Sequence, residues 1–195
     1  MWPGRNVWVS IRLSLLAVVA VLVLPAAAGG ADGWNALRRP LHVPAVASGA
    51  ACPVSKIDHR VAWSRLHIFG GVGLGNGPVY PGLGRGLLFA TRDEQYGSRW
   101  FGTKVFWFVM PSYRGRVLIR GRRIDAPGRV GFNGAKTPNP ELRIEPNDTV
   151  SWTGQPRWSR GVPSGVRILT KGCYAFQIDG TSFSRIVVVT GDVAN

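Results

Sequence analysis

Glycine and proline set the strongest limit on what this chain can fold into. Its 195 residues include 26 Gly and 14 Pro, about a fifth of the total, which is well above the usual share. In a helix interior Gly costs about 1 kcal/mol and Pro about 3 kcal/mol relative to Ala. A mostly helical fold is therefore excluded, and the composition favours short strands joined by tight turns.

The chain has the length of one domain and is apolar enough to fold. Hydrophobic residues make up 45% of it and charged residues 17%, a balance that a disordered polycation does not have. Strands are predicted where short segments are rich in β-branched or aromatic residues, at 61–69, 86–91, 103–110, 116–120, 141–145, 149–153, 165–170, 173–179 and 183–190. We predict an all-β fold, a single antiparallel immunoglobulin-like β-sandwich of about eight strands, over residues 52–195.

The clearest local pattern is a hairpin near the C-terminus. Asp179-Gly180 lies between two predicted strands and is typical of a two-residue type I′ turn. In the strand before it, Tyr174, Phe176 and Ile178 share one face because side chains alternate along a strand. We predict that this aromatic face points into the core.

The N-terminal part of the chain differs in composition from the rest. An apolar run at 13–24 follows two arginines and precedes three alanines, a pattern typical of a secretory signal peptide. Residues 1–28 are predicted to be this signal peptide, which indicates a secreted or cell-envelope protein. The alternative is an uncleaved anchor, but a spanning helix needs about 20 apolar residues. Residues 29–51, rich in Ala, Gly and Pro, are predicted to be a flexible linker.

The two cysteines, Cys52 and Cys173, are predicted to form a disulfide, since exported proteins fold under oxidising conditions. The alternative is a redox or catalytic thiol. It is disfavoured because the sequence has no CxxC spacing and neither cysteine has a histidine nearby in sequence.

Arginine is the main source of the formal net charge of +14. Six arginines lie between residues 114 and 129, close to several aromatic residues, and the candidate binding residues are Arg114, Arg116, Arg120, Arg122, Arg123, Trp100 and Tyr113. Arginine beside exposed aromatic rings can bind phosphates, carboxylates or sugars. Two alternatives stay open, an arginine-rich coding bias and charges that protect an edge strand from aggregation.

Other chemistry is weakly indicated. The glycine-rich segment 70–86 contains neither GxGxxG nor GKS/T and is interpreted as a surface loop. The histidines have no metal-ligand spacing and no GxSxG motif occurs, so we predict no metal site, no cofactor and no catalytic residue. The neighbouring acids Asp93 and Glu94 are interpreted as a solvated turn. As an alternative, they could serve a hydrolase site at the 70–86 loop.

Three blocks of the sequence resemble a known group of proteins. They are CPV at 52–54, GRVLIRGRRIDAP at 115–127 and GCYAFQIDG at 172–180. Together they resemble a group of exported bacterial proteins of unknown function, although Tyr174 stands where that group has Trp. The resemblance implies an exported β-sandwich with one disulfide, and it carries over no activity.

These observations predict a non-catalytic exported module that binds an acidic partner through an arginine and aromatic surface. The partner would be an anionic glycan, a lipid headgroup or a protein. Nucleic acid is not expected because export removes access to it, and membrane contact is expected only through an uncleaved leader. A purely structural envelope module is a further alternative.

Overall fold

The computed structural model describes residues 32–65, 72–92, 99–148 and 160–194. The strands are β1 Val79–Pro81, β2 Leu87–Arg92, β3 Phe101–Val109, β4 Val117–Arg123, β5 Gly131–Phe132, β6 Glu141–Ile144, β7 Arg160–Ile168, β8 Gly172–Gly180 and β9 Ser184–Val193. Two short helical segments, Asp32–Asn35 and Trp63–Arg65, precede them. Within these residues no helix has the length and apolar character needed to cross a membrane. The predicted signal peptide, residues 1–28, lies outside the described residues.

The strands form one sheet in the order β5-β7-β3-β2-β9-β8-β4-β6, with β1 paired to β3. The two ends of the sheet approach each other, because Phe132 of β5 exchanges backbone hydrogen bonds with Asn139, just before β6. The sheet therefore nearly closes into a barrel. The predicted all-β class is confirmed.

Strand β2 joins the two halves of the sheet. It pairs in parallel with β9, where Leu87 lies opposite Thr190, and its last residues pair antiparallel with β3. The other pairings of the described strands are antiparallel. The prediction of a purely antiparallel fold is thus wrong at β2 and β9. These strands are far apart in sequence, so no hairpin fixes their relative direction.

Seven of the predicted strands are confirmed, with shifted ends, as β2, β3, β4, β6, β7, β8 and β9. The predicted strand at 61–69 is wrong where the structure describes it, because Trp63–Arg65 forms a 3-10 turn. The Trp63 indole donates a hydrogen bond to the Asp58 carbonyl at 2.8 Å and stabilises this turn. The predicted strand at 149–153 lies outside the described residues. Strands β1 and β5 are too short to be recognised from the sequence.

The C-terminal hairpin is confirmed, but its turn lies further along the chain. Asp179 pairs with Ser184, and the Gly180 amide donates to the Phe183 carbonyl at 2.9 Å. Asp179 and Gly180 therefore belong to β8. The predicted type I′ turn at Asp179-Gly180 is wrong because Asp179 and Gly180 are paired with Ser184 and Phe183, so that the turn falls on the two residues between Gly180 and Phe183.

The main core fills the space between the two halves of the sheet. Trp107 of β3 meets Phe176 of β8 edge to face, with ring centroids 5.5 Å apart. Tyr174 and Ile178 belong to the same buried cluster, so the predicted inward face of β8 is confirmed. Aromatic pairs of this kind contribute about 1 kcal/mol beyond the area that they bury.

Residues 34–55, here called the N-terminal strap, lie across the outer face of β4, β8 and β9. Leu37 packs in a buried cluster with Leu118, and Val43 in another with Ala175. The sequence predicts a flexible linker at 29–51, whereas the part of this segment that the structure describes packs against the sheet. Without this cover, the apolar side chains on the outer face of the sheet would contact water.

The predicted Cys52–Cys173 disulfide is confirmed, with Cα atoms 5.4 Å apart. It joins the C-terminal part of the N-terminal strap to the beginning of β8. Cys173 lies on the outer face of that strand, in the same buried cluster as Val43. The bridge thus fastens the strap to the sheet and does not cross the main core.

Candidate functional site

Three of the predicted binding arginines are in ion pairs within the protein. In each, a guanidinium nitrogen lies within hydrogen-bond distance of a carboxylate oxygen, in the pairs Arg116–Glu145 (3.0 Å), Arg120–Asp179 (2.8 Å) and Arg123–Asp125 (2.7 Å). The Arg123 guanidinium lowers the pKa of Asp125 from its usual value. These side chains compensate charges of their own protein, which leaves them fewer donors for a ligand.

The Arg120 pair is the most buried of the three. The Asp179 carboxylate is fully buried and accepts hydrogen bonds from Arg120 at 2.8 Å, Ser184 at 2.7 Å and Gln177 at 3.0 Å. Arg39 of the N-terminal strap approaches it at 3.4 Å. This cluster therefore lies beneath the strap, inside the protein.

Tyr113 is also an internal residue. Its hydroxyl donates to the Arg116 carbonyl at 2.7 Å and accepts from the Thr181 amide at 2.9 Å. Its ring packs edge to face on Phe183, with centroids 4.9 Å apart. The tyrosine joins the loop before β4 to the C-terminal hairpin and is 8% exposed.

The other two arginines of the predicted set, Arg114 and Arg122, are exposed. The backbone of Arg122 pairs with that of Arg129 in an isolated bridge. This bridge connects the end of β4 to the segment that enters β5. It brings part of the arginine cluster to the edge of a pocket.

That pocket, here called the basic pocket, has a volume of about 430 Å³. Three segments form it: the residues just before β3, the entry to β5, and the loop between β5 and β6. Its lining residues are Arg99, Trp100, Arg129, Val130, Gly131, Lys136, Thr137, Pro138 and Pro140. Among the described residues, the lining contains three cations and no acidic side chain.

Hydrogen bonds from Arg167 of β7 hold the loop between β5 and β6 in place. This buried guanidinium donates to the carbonyl oxygens of Asn133, at 3.3 Å, and Ala135. The Asn133 side chain in turn accepts a hydrogen bond from the Gly165 amide at 2.7 Å. Asn133 has a φ of +43°, a left-handed conformation that Asn adopts more readily than most residues. The loop that carries Lys136 is thus fixed to β7.

The cations of the basic pocket have no ion-pair partner in the described part of the chain. Arg99, Arg129 and Lys136 are all exposed, and none is among the salt bridges. Trp100, 8% exposed, supplies part of the apolar wall. Guanidinium groups in such a pocket can bind a carboxylate or phosphate through paired hydrogen bonds.

The basic pocket therefore contains one residue of the predicted set, Trp100, with Arg129 from the wider arginine cluster. Arg99 and Lys136 were not among the predicted binding residues. Arg99 could have been predicted from the sequence, because it is next to the candidate residue Trp100. Lys136 could not, because it reaches the pocket only through the way the loop between β5 and β6 folds back.

The remaining candidates for chemistry are placed as follows. Asp58 accepts hydrogen bonds from Arg60 and Tyr80. Asp93 and Glu94 lie outside the described residues, as do the first two glycines of the 70–86 loop. Within the described ranges, no group of three or more His, Cys, Asp or Glu side chains could hold a metal ion.

Comparison with models of protein families gave no match for this chain. Comparison with curated proteins gave no match either.

Proposed function

We propose that this protein is an exported, non-catalytic β module that binds an acidic partner in the cell envelope at the basic pocket. The observation that carries the proposal is the convergence of Arg99, Arg129 and Lys136 on one pocket, whose described lining contains no carboxylate. Cations that have no internal partner keep their hydrogen-bond donors and charge for a ligand.

An anionic glycan is the partner class that the pocket suits best. Trp100, Pro138 and Pro140 give the lining flat apolar surfaces beside the cations. A sugar acid has the matching features, since its ring offers apolar C–H faces and its carboxylate accepts paired hydrogen bonds from arginine. A glycerol-type lipid headgroup has the charge but no ring, and an acidic protein carries its carboxylates and its rings on separate side chains.

We also propose that the fold is immunoglobulin-like, and that the chain belongs with the exported bacterial proteins that it resembles. The two halves of the sheet, joined at β2 and packed through Trp107 and Phe176, support the layered description. The disulfide supports an extracellular location, because such bonds persist in oxidising compartments.

The test is retention of the full chain on immobilised polygalacturonate, with its neutral methyl ester as the reference matrix. The variant carries Arg99→Ser, Arg129→Ser and Lys136→Ser. The matched control removes the same number of exposed charges elsewhere, through Arg85→Ser, Lys104→Ser and Lys171→Ser. We expect the pocket variant to lose at least about tenfold in affinity, and the control to keep the affinity of the original protein.

Retention should also fall with added salt, since exposed charges are screened beyond about 10 Å at 0.1 M. Equal losses in the two variants would contradict the proposal, because they would indicate a general effect of net charge. Preferential binding to anionic vesicles or to an acidic protein instead of the glycan would reject the glycan assignment.

A further inference from the structure

A second group of cations surrounds a different pocket, of about 500 Å³, beside the start of β9. Its cations are Lys56, Arg60 and Arg185, and Asp58, Ile57, Gly75 and Asn76 complete the lining. None of these residues belongs to the basic pocket. Ligand binding at this second pocket is therefore independent of ligand binding at the basic pocket.

Arg60 is held in place by Asp58. Its Nε and Nη2 atoms donate to the two Asp58 carboxylate oxygens at 2.8 Å and 2.7 Å, and its backbone amide donates to the same carboxylate at 3.1 Å. The Arg60 side chain is nevertheless 76% exposed. One edge of the guanidinium is thus fixed by the protein, and Nη1 makes no hydrogen bond to the described residues.

Asp58 is itself held by a buried network. The Tyr80 hydroxyl donates to its carboxylate at 2.8 Å, and the Trp63 indole donates to its carbonyl at 2.8 Å. The Asp58 side chain is 4% exposed. Hydrogen bonds from Arg60 hold the pKa of Asp58 well below its usual range, so the carboxylate stays charged and keeps Arg60 oriented at neutral pH.

The other side of the pocket is fixed by the glycine-rich loop. The Gly75 amide donates to the Lys56 carbonyl at 2.9 Å, and Ile57 pairs with Leu74. Gly75 has a φ of +97°, and a Cβ atom there would lie 2.9 Å from a Val187 methyl group. Glycine at this position therefore lets the loop pack against β9, two residues from Arg185.

We infer that Lys56, Arg60 and Arg185 form a binding site for a phosphate monoester group. Three cations and the Asp58 carboxylate leave two positive charges, which match the dianion that a phosphate monoester carries near neutral pH. Lys56 and Arg185 are in none of the ion pairs of the described residues. A phosphate also offers three acceptor oxygens to donors that approach from different directions.

The test is calorimetric titration of the full chain with glycerol 3-phosphate at neutral pH and low salt, with dimethyl phosphate as the monoanionic comparison. We expect the monoester to bind more tightly than the diester. Arg60→Gln and, separately, Lys56→Gln with Arg185→Gln should each weaken monoester binding at least about tenfold. The second variant leaves Asp58 and its network intact, so its result does not depend on tolerance of the Arg60 change.

Two controls separate this site from the basic pocket. Arg85→Gln removes an exposed arginine elsewhere and should leave monoester affinity unchanged, as should the triple serine variant of Arg99, Arg129 and Lys136. Loss of monoester binding in that triple variant, or equal affinity for the diester, would overturn the inference. Inorganic phosphate and vesicles that contain phosphatidic acid then distinguish a free phosphate from a lipid source of the same group.

Discussion

Asp179 is a fully buried carboxylate in a protein with few acidic residues. A buried charge is stable only when it is paired and hydrogen-bonded, and Arg120, Gln177 and Ser184 provide this pairing. The sequence predicts Arg120 to be a ligand-binding residue, but in the structure it stabilises the buried Asp179 carboxylate. At the scale of single residues, the partner of each arginine decides its role.

We expect Asp179→Asn to destabilise the fold by about 3 kcal/mol, since removing one partner leaves a mostly buried guanidinium without its counter-charge. The measurement is urea unfolding at neutral pH. Arg114→Ser, at an exposed position, serves as the control and should change the unfolding free energy by less than about 0.5 kcal/mol. Equal stability of Asp179→Asn and the original protein would show that Arg120 does not depend on this carboxylate.

Among the elements, the N-terminal strap covers the outer face of β4, β8 and β9. Its backbone exchanges hydrogen bonds with the Gln177 side chain, which accepts from His42 at 2.8 Å and donates to Pro40 at 3.0 Å. The Ser55 amide donates a hydrogen bond to the Val188 carbonyl of β9, and the Val188 amide donates one to the Ser55 hydroxyl oxygen. A segment that has almost no regular secondary structure is thus held along its length by polar contacts and, at Cys52, by the disulfide.

Replacing both cysteines by alanine should lower the unfolding free energy by up to about 4 to 5 kcal/mol. The bridge joins residues 121 positions apart, and the chain-entropy model gives this magnitude for a loop of that length. Thermal unfolding measures the loss, and limited proteolysis should cut the variant first within residues 34–55. A reductant should destabilise the original protein but leave the variant unchanged. Equal melting temperatures for the two proteins would contradict the prediction.

For the whole molecule, acidic groups are scarce, and five of those in the described residues are in ion pairs: Asp58, Asp125, Glu141, Glu145 and Asp179. The chain has 10 acidic residues against 24 basic ones. Neighbouring arginines lower the pKa of Asp58, Asp125 and Glu141. The folded state therefore binds protons at these groups less readily than the unfolded chain does.

This difference predicts a loss of stability in acid. A carboxyl group whose pKa is lowered by folding stabilises the protein fully above its unfolded value of about 4, and the contribution disappears as the pH falls through the folded value. We expect the unfolding free energy to be lower at pH 3 than at pH 7 by about 3 kcal/mol, as measured by urea unfolding. Asp58→Asn should be less stable at pH 7 and should lose less on acidification. A pH-independent unfolding free energy would contradict this account.

The all-β class, seven of the strands, the inward face of β8 and the disulfide could be predicted from the sequence. These features depend on composition, on the alternation of side chains along a strand and on there being only two cysteines. Such properties are local or can be counted, so no knowledge of the folded chain is needed to read them.

Three features depend on how the chain folds: the pairing of most arginines, the cover that residues 34–55 give the sheet, and the pocket that Arg99 and Lys136 share with Arg129. The parallel pairing of β2 with β9 also depends on how the chain folds. Most of these partners are distant in sequence and meet only when the strands assemble into the sheet, whereas Arg60, Arg123 and Arg143 pair with acids two residues away. The charge of +14 was visible in the sequence, but the charges left free for a ligand are those that folding did not bring next to an acid.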